Sequence, residues 1–513
     1  MIVGSMSTTF AGNTEKISLL NERSFSSVHH KEVAVDGGSM QSSTSFDNLY
    51  IDGTWVPTIT SAQPIEVENP YTHETVGQVP RGTSADVDAA VRAASTALPA
   101  WEATPAVERA LYLERIAQEL ANRSEEIAQL ITAEVGTPLR ISQKVQAALP
   151  VQTLNETAAA LRAFNFTSQI GHSVVQRPPV GVVGAITPWN YPLHQIVGKV
   201  GGALAAGCTL VLKPSDLAPL SAFVLAEVVA SVGLPAGVFN VVSGPGSEIG
   251  QALVDHPEVA LVSFTGSTAV GRQIAARSGD LVKRVSLELG GKSASIVLPD
   301  ADLATAVKVT VANSFLNAGQ TCTAWSRLLV PRELLPEVEA LAAAAASRYV
   351  PGDPMESGTR LGPLVSKKQR DSVLGHITEA VSNGATVLCG GSDGGTETGY
   401  FVEATVLSNV APGSVAEQEE MFGPVLSIVA YDDVEEAVAI ANGTKYGLAA
   451  GVWSADPEAA INVAGRLLAG QVDINGAAFN PAAPFGGFKQ SGYGREFGTF
   501  GIEEFLTVRS IQM

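Results

Sequence analysis

Two hydrophobic periods take turns along this chain. DNLYIDGTWVP (47–57) sets apolar residues on either side of an Asp-Gly pair, the pattern of two short strands joined by a tight turn. From Ser84 to about Gln146 the period lengthens. SADVDAAVRAASTAL opens with Ser84 as the expected helix N-cap, and PAVERALYLERIAQELANRSEEIAQLITAEV repeats apolar residues at three- and four-residue spacing. A β-rich, proline-punctuated stretch follows, SVVQRPPVGVVGAITPWNYP (173–192). Strands and helices then alternate. TLVLKP (209–214), GVFNVVSG (237–244) and LVSFTG (261–266) read as strands, and SAFVLAEVVASVG (221–233) as a helix ending at Gly233. Such alternation predicts βαβ units around a parallel sheet, hence an α/β fold. A second α/β stretch runs from Glu288 to about residue 490. The chain closes with GIEEFLTVRSIQM, a short alternating strand that needs a partner, which a neighbouring subunit could supply. There is no internal repeat, and GGSDGGTETG (390–399) reads as a flexible loop.

Length and charge narrow the classes. A chain of 513 residues, 45% of them hydrophobic, divides into two or three domains. Its net charge of −19 opposes binding to nucleic acid and to anionic membranes. No run of 18 apolar residues is present, so no membrane span is expected. Cys208, Cys322 and Cys389 are odd in number and widely spaced. They form neither a disulfide framework nor a metal ligand set, which fits a reducing cytoplasm. Residues 1–46 are rich in Ser, Thr and Asn, lack a hydrophobic signal core and carry Glu15, Glu22, Glu32 and Asp36. They read as a disordered extension, with Met6 and Met40 as alternative starts.

Several glycine patterns mimic known fingerprints. GPGSEIG (244–250) is one residue longer than the dinucleotide pattern, and plain turn geometry explains it equally well. LGGKS (289–293) ends like a P-loop, but the motif's first glycine would fall on Ser286, so an NTPase reading fails. GGSDG (390–394) matches G-x-S-x-G only formally, inside a polar glycine run. FTGSTAVG (264–271) places Gly266-Ser267-Thr268 at a strand-to-helix turn. That turn either holds a pyrophosphate or is an ordinary helix cap.

The candidate chemistry centres on Cys322 in NAGQTCTAW. A cysteine attacks carbonyls as thiolate, and the tetrahedral oxyanion then needs fixed donors. Asn190, held between Pro188 and Pro192, offers a side-chain amide, and the Cys322 N–H a second donor; taken singly, Asn190 reads as a turn residue. Glu288 ends an apolar strand just before Gly290-Gly291, where partial desolvation raises a carboxyl toward useful base strength. The alternative is a strand-end Glu facing solvent.

TPWNYP, LKPSD, FTGSTAVG, LELGGKS, GQTCTA, EEMFGPV and PFGGFKQSGYGRE occur in this order over some 300 residues. Together they resemble the aldehyde dehydrogenase superfamily from about Asn48 to the C-terminus, including the 34 positions between Glu288 and Cys322. The resemblance implies a Rossmann-like cofactor domain (47–159 and 180–289), an α/β catalytic domain (290–498) and a small β oligomerisation element (160–179 and 499–513). It implies a homodimer or homotetramer, and oxidation of a small-molecule aldehyde to an acid. In that scheme Cys322 forms a thiohemiacetal, Asn190 and the Cys322 N–H hold its oxyanion, and Glu288 activates the water that hydrolyses the thioester. Lys199 matches a lysine that relays protons from this glutamate; a snorkelling surface lysine is the plain alternative. For the cofactor, Lys213, Ser215 and Asp216 fall on the adenosine side, with Gly246 and Gly250 at the adenine turn. Trp189, Thr265, Gly266 and Ser267 flank the pyrophosphate, and Glu420 and Phe422 hold the nicotinamide end. Asp216 stands where most members have Glu. A carboxylate there repels a 2′-phosphate, so NAD is expected ahead of NADP.

By the same resemblance Tyr191 and Phe485 line the aldehyde tunnel. Gly198 stands where many relatives place a bulky aromatic, and NGAAFNPAA (475–483) is built mostly of small residues. Both suggest a wide, apolar tunnel and a medium-to-large apolar aldehyde, with no arginine in those segments to grip a second carboxylate. Two rivals keep the thiol: a CoA-acylating dehydrogenase, against which Glu288 speaks, and a thioesterase without redox chemistry.

Overall fold

The structure, a computed structural model, describes residues 44–395 and 398–513. Residues 1–43 of the expected extension, and Thr396 and Glu397 of the expected loop, lie outside the described residues. The extension as drawn ends too late. Thr44–Ser45 is a strand paired in parallel with Thr75–Val79, and Phe46 is buried, its ring 5.0 Å from that of Phe223. An aromatic side chain that can bury its whole face is held by the core rather than by the composition of its neighbours.

Eight strands form the first sheet. Its order is Gly492–Tyr493, Arg284–Glu288, Val259–Thr265, Val182–Ile186, Thr209–Lys213, Phe239–Val241, Leu49–Ile51 and Thr54–Val56. The five from Arg284–Glu288 to Phe239–Val241 run parallel. The chain enters at Val182–Ile186 in the middle, proceeds outward through Thr209–Lys213 and Phe239–Val241, then returns to build Val259–Thr265 and Arg284–Glu288 on the other side. Strand order therefore reverses beside Val182–Ile186, and a crevice opens at the carboxyl ends of the strands on either side of such a point. The predicted strands at 209–214, 237–244 and 261–266 and the helix at 221–233 are all present, with tighter bounds. One cap moves: Thr83 is the N-cap of helix Ser84–Ala103, and Ser84 is its first helical residue.

The second sheet has seven strands, in the order Thr386–Cys389, Thr405–Ser408, Val425–Tyr431, Arg327–Pro331, Ala294–Val297, Ala449–Trp453 and Gln471–Ile474. All but the first are parallel. Residues Leu289–Ser293 carry the chain from one sheet to the other. Gly492–Tyr493 then crosses back to pair with Leu287 and Glu288, so the first sheet is finished by the end of the chain.

Helix Ala148–Ala163 runs past residue 160. The three-stranded sheet that follows it joins Thr167–Ile170, Ser173–Gln176 and Arg509–Gln512. The terminal strand thus has its partner, Ser173–Gln176, in the same chain.

Candidate active site

Strand Val182–Ile186 leads into TPWNYP, and Pro192 starts a fully buried helix, Pro192–Ala206. Proline is pre-organised for a first helical turn. Asn190 sits just ahead of it, buried, where the strand ends and the helix begins. Its backbone carbonyl accepts from Gln146 Nε2 and Asn317 Nδ2, both at 2.9 Å, and its own Nδ2 donates to the Gln320 carbonyl at 2.9 Å. One side-chain N–H is spent in that brace, leaving the other for the cavity.

On the opposing lobe, helix Leu303–Ser314 ends and three consecutive residues turn left-handed: Asn317, Ala318 and Gly319, at φ 53°, 54° and 73°. Non-glycine residues occupy that region at a cost and persist only where packing imposes it. Here Asn317 is bonded at both ends of its amide, accepting from Thr137 Oγ1 at 2.5 Å. A Cβ on Gly319 would stand 2.0 Å from the Gly423 carbonyl, so only glycine fits. This turn delivers Cys322, half-buried, to the cavity. Its carbonyl lies 2.4 Å from where a Cβ on Gly291 would be, so the LELGGKS glycines let the thiol loop pack against the inter-sheet crossing.

Glu288 comes from the end of its strand and is 2% exposed. Neither of its carboxylate oxygens has a hydrogen-bond partner among the described residues. Burial, then the nearby Glu496 carboxylate, hold its carboxyl well above the usual carboxylate range, against the pull of Lys199 and Arg495. Burial, then the charges of Glu420 and Glu288, push the Cys322 thiol up. Both shifts favour the uncharged form, of the thiol and of the carboxyl alike. The solvent-facing alternative for Glu288 is excluded. So is the surface alternative for Lys199: it is 1% exposed, donating to Glu496 Oε1 at 2.7 Å and to Ser263 Oγ at 3.1 Å.

Cys322, Asn190 and Glu288 line one cleft, with about 690 Å³ of empty volume. Thr265, Gly266 and Ser267 form another wall, Trp189, Glu420 and Phe422 a third. Ser267 caps helix Thr268–Asp280, and the Thr265 hydroxyl is buried without a partner. Glu420 accepts from the Gly291 N–H at 3.0 Å, and burial raises its carboxyl to about 7. A Cβ on Gly290 would come within 2.2 Å of Glu420, so the cleft floor is bare backbone there. The Trp189 and Phe422 rings meet edge to face at 5.5 Å. Away from this wall, Lys213 Nζ donates to Asp216 Oδ1 at 3.0 Å, and Ser215 Oγ accepts from the Leu217 N–H at 3.3 Å. Gly246 and Gly250 bracket one wide helical turn. An open crevice at the switch point, with N–H groups at a helix start and unpartnered hydroxyls, fits a dinucleotide.

Tyr191 is buried, and its hydroxyl pairs with Thr321 Oγ1 at 2.8 Å, bracing the thiol loop. Phe485 clusters with Leu448, Phe497 and Phe479 against Cys322. The space expected beside Gly198 is filled: a Cβ there would lie 3.0 Å from both Glu496 Oε2 and Phe497 Cε1. Gly198 is small because those two residues occupy its place, so it does not widen a tunnel. Sequence reasoning also missed Gln195 and Gln369 in the cleft wall. Gln369 Nε2 donates to the Phe422 carbonyl at 3.0 Å, tying down a residue at φ 52°. Its only local signal is its place three residues past the helix cap Ser366.

Residues 55–511 match the Aldehyde dehydrogenase family. A 3-succinoylsemialdehyde-pyridine dehydrogenase of a Pseudomonas species is 48% identical over 474 residues, covering 91% of this chain and 98% of that protein. The crystal structure of a mutant aldehyde dehydrogenase C of Pseudomonas syringae with NAD+ and octanal is 45% identical. It has a TM-score of 0.89, covering 91% of this chain and 96% of its own. A Mycobacterium tuberculosis aldehyde dehydrogenase with NAD+ is 43% identical with a TM-score of 0.90, covering 92% and 99%. The cleft, its thiol and its carboxylate thus sit in a chain that belongs to the aldehyde dehydrogenase family.

Proposed function

We propose that the protein oxidises an aldehyde to a carboxylic acid, with NAD ahead of NADP, through a covalent intermediate on Cys322. The observation that carries this reading is the meeting of Cys322, Asn190 and Glu288 on one cleft beside the sheet's switch point. The bound dinucleotide supplies the hydride acceptor. Thr265, Gly266 and Ser267 would hold its pyrophosphate, Lys213 and Asp216 its adenosine ribose, and Glu420 with Phe422 its nicotinamide end. Related proteins crystallised with NAD+ support the cofactor. Asp216, already paired to Lys213, turns a 2′-phosphate away.

Cys322 gives up its proton to water in the open cleft, and its sulfur adds to the aldehyde carbon. The oxyanion that forms is met by the free Asn190 N–H and the Cys322 backbone N–H. Loss of hydride leaves a thioester on Cys322. Glu288 takes a proton from water, the resulting hydroxide attacks the thioester carbon, and the C–S bond breaks to release the acid. Lys199 and Glu496, paired beneath Glu288, hold and pass on the proton it gains. The apolar wall of Phe479, Phe485 and Phe497 suits a medium-to-large tail.

The eight-stranded lobe holds the cofactor and the seven-stranded lobe the thiol. The three-stranded sheet, with Ile170 and Met513 exposed, joins copies as a homodimer or homotetramer. Free Cys208, Cys322 and Cys389 suit a cytoplasmic setting. Among the described residues no helix is long and apolar enough to cross a membrane.

Stopped-flow NADH absorbance tests the scheme. Cys322→Ala should abolish turnover. Glu288→Gln should keep the first burst of NADH and slow the steady state by roughly 10²–10⁴. Loss of the burst in Glu288→Gln would refute these roles. A requirement for CoA would move the chain to the acylating class.

A further inference from the structure

Helix Pro192–Ala206 is buried along its whole length, so each polar side chain on it needs a partner. His194 pairs with Thr153 at 3.2 Å, and Lys199 with Glu496 and Ser263. Gln195 is the exception. It is 8% exposed, its carboxamide makes no hydrogen bond to any described residue, and it lines the cleft together with Cys322 and Asn190. An amide in that position is completed by whatever fills the cleft.

We infer that Gln195 is a specificity-determining residue whose carboxamide binds a neutral oxygen function on the substrate tail, close to the reacting aldehyde carbon. The inference rests on the dehydrogenase reading above and names its substrate class. Charge decides that the oxygen is neutral. Among the described residues no Lys, Arg or His lines the cleft, so a carboxylate tail would lose its water and find no cation there. A keto oxygen accepts from the Gln195 NH₂, whereas a plain alkyl chain leaves that amide buried and unpaired. Sites built around a hydrogen bond discriminate strongly against analogues that lack it. Phe479, Phe485 and Phe497, clustered against Cys322, offer apolar contact to the rest of the tail.

The test compares 4-oxooctanal with octanal, reading NADH. In the unaltered protein kcat/KM should favour the oxo compound by about tenfold or more, mostly through KM. In Gln195→Met the ratio should fall to near one. A packing role for Gln195 would lower both substrates alike and leave the ratio standing. Thermal melting checks that the variant folds; if it does not, the ratio in the unaltered protein decides. A ratio near one there, or a ratio unchanged by Gln195→Met, overturns the inference while the dehydrogenase reading survives. No NADH from either aldehyde overturns both.

Discussion

Lys199→Met removes one partner of a buried ion pair and keeps the length of the side chain. Glu496 is 3% exposed; its Oε1 bonds Lys199 and its Oε2 has no partner. Without Lys199 the Glu496 carboxylate is buried and unpaired, next to Glu288. Breaking such a pair from one side costs about 3–5 kcal/mol. With an unfolding entropy near 2.1 cal/mol/K per residue, a chain of this size should lose about 3–5 °C in Tm. Differential scanning calorimetry at a fixed scan rate, on both proteins, measures it. Adding Glu496→Gln to Lys199→Met removes the charge left behind and should restore most of the loss. A double variant no more stable than Lys199→Met would refute the reasoning, since it would mean Glu496 is not left as an unpaired buried charge.

Other outcomes follow from single residues. Glu134 is fully buried, with Oε2 accepting from the Leu220 N–H at 3.0 Å, and burial raises its carboxyl to about 8. The folded state holds that proton more tightly than the unfolded one. Its stability contribution is therefore full below about pH 4.5 and lost as pH rises toward 8; Glu134→Gln should flatten this part of the Tm-versus-pH curve, and an unchanged slope would count against it. Val282 holds φ 55° in the turn closing helix Thr268–Asp280 and is 92% exposed. Val282→Gly should relieve strain and raise stability by about 1 kcal/mol; a lower Tm would contradict that. Deacylation should speed up as pH rises through the raised Glu288 value, a limb that single-turnover kinetics should find missing in Glu288→Gln.

Local pattern carried the parallel strands well, because each is a short apolar run closed by Pro or Gly, as in TLVLKP and LVSFTG. Position at strand ends left Asn190, Glu288 and Ser267 open between turn or cap and chemistry; the seven motifs in family order made them site candidates. Gly198 misled. A glycine in a sequence shows that a side chain is absent, and says nothing of which neighbour fills the gap; here Glu496 and Phe497 do, from nearly 300 positions away. Gln195 and Gln369 were invisible because their partners, or the lack of them, are set by packing.

The succession of strands and helices along the chain was determined by the sequence itself, since apolar periodicity and turn chemistry act over a few residues, and the ordered motifs shared with the aldehyde dehydrogenase family marked Cys322, Asn190 and Glu288 as site candidates. Tertiary structure decided three things that depend on distant chain segments. It closed the terminal strand onto Ser173–Gln176 of the same chain. It set Lys199 against Glu496 in a dry interior. By burying Glu288 beside that pair, it raised the carboxyl above the usual carboxylate range, because desolvation and neighbouring charge exist only once both lobes have packed.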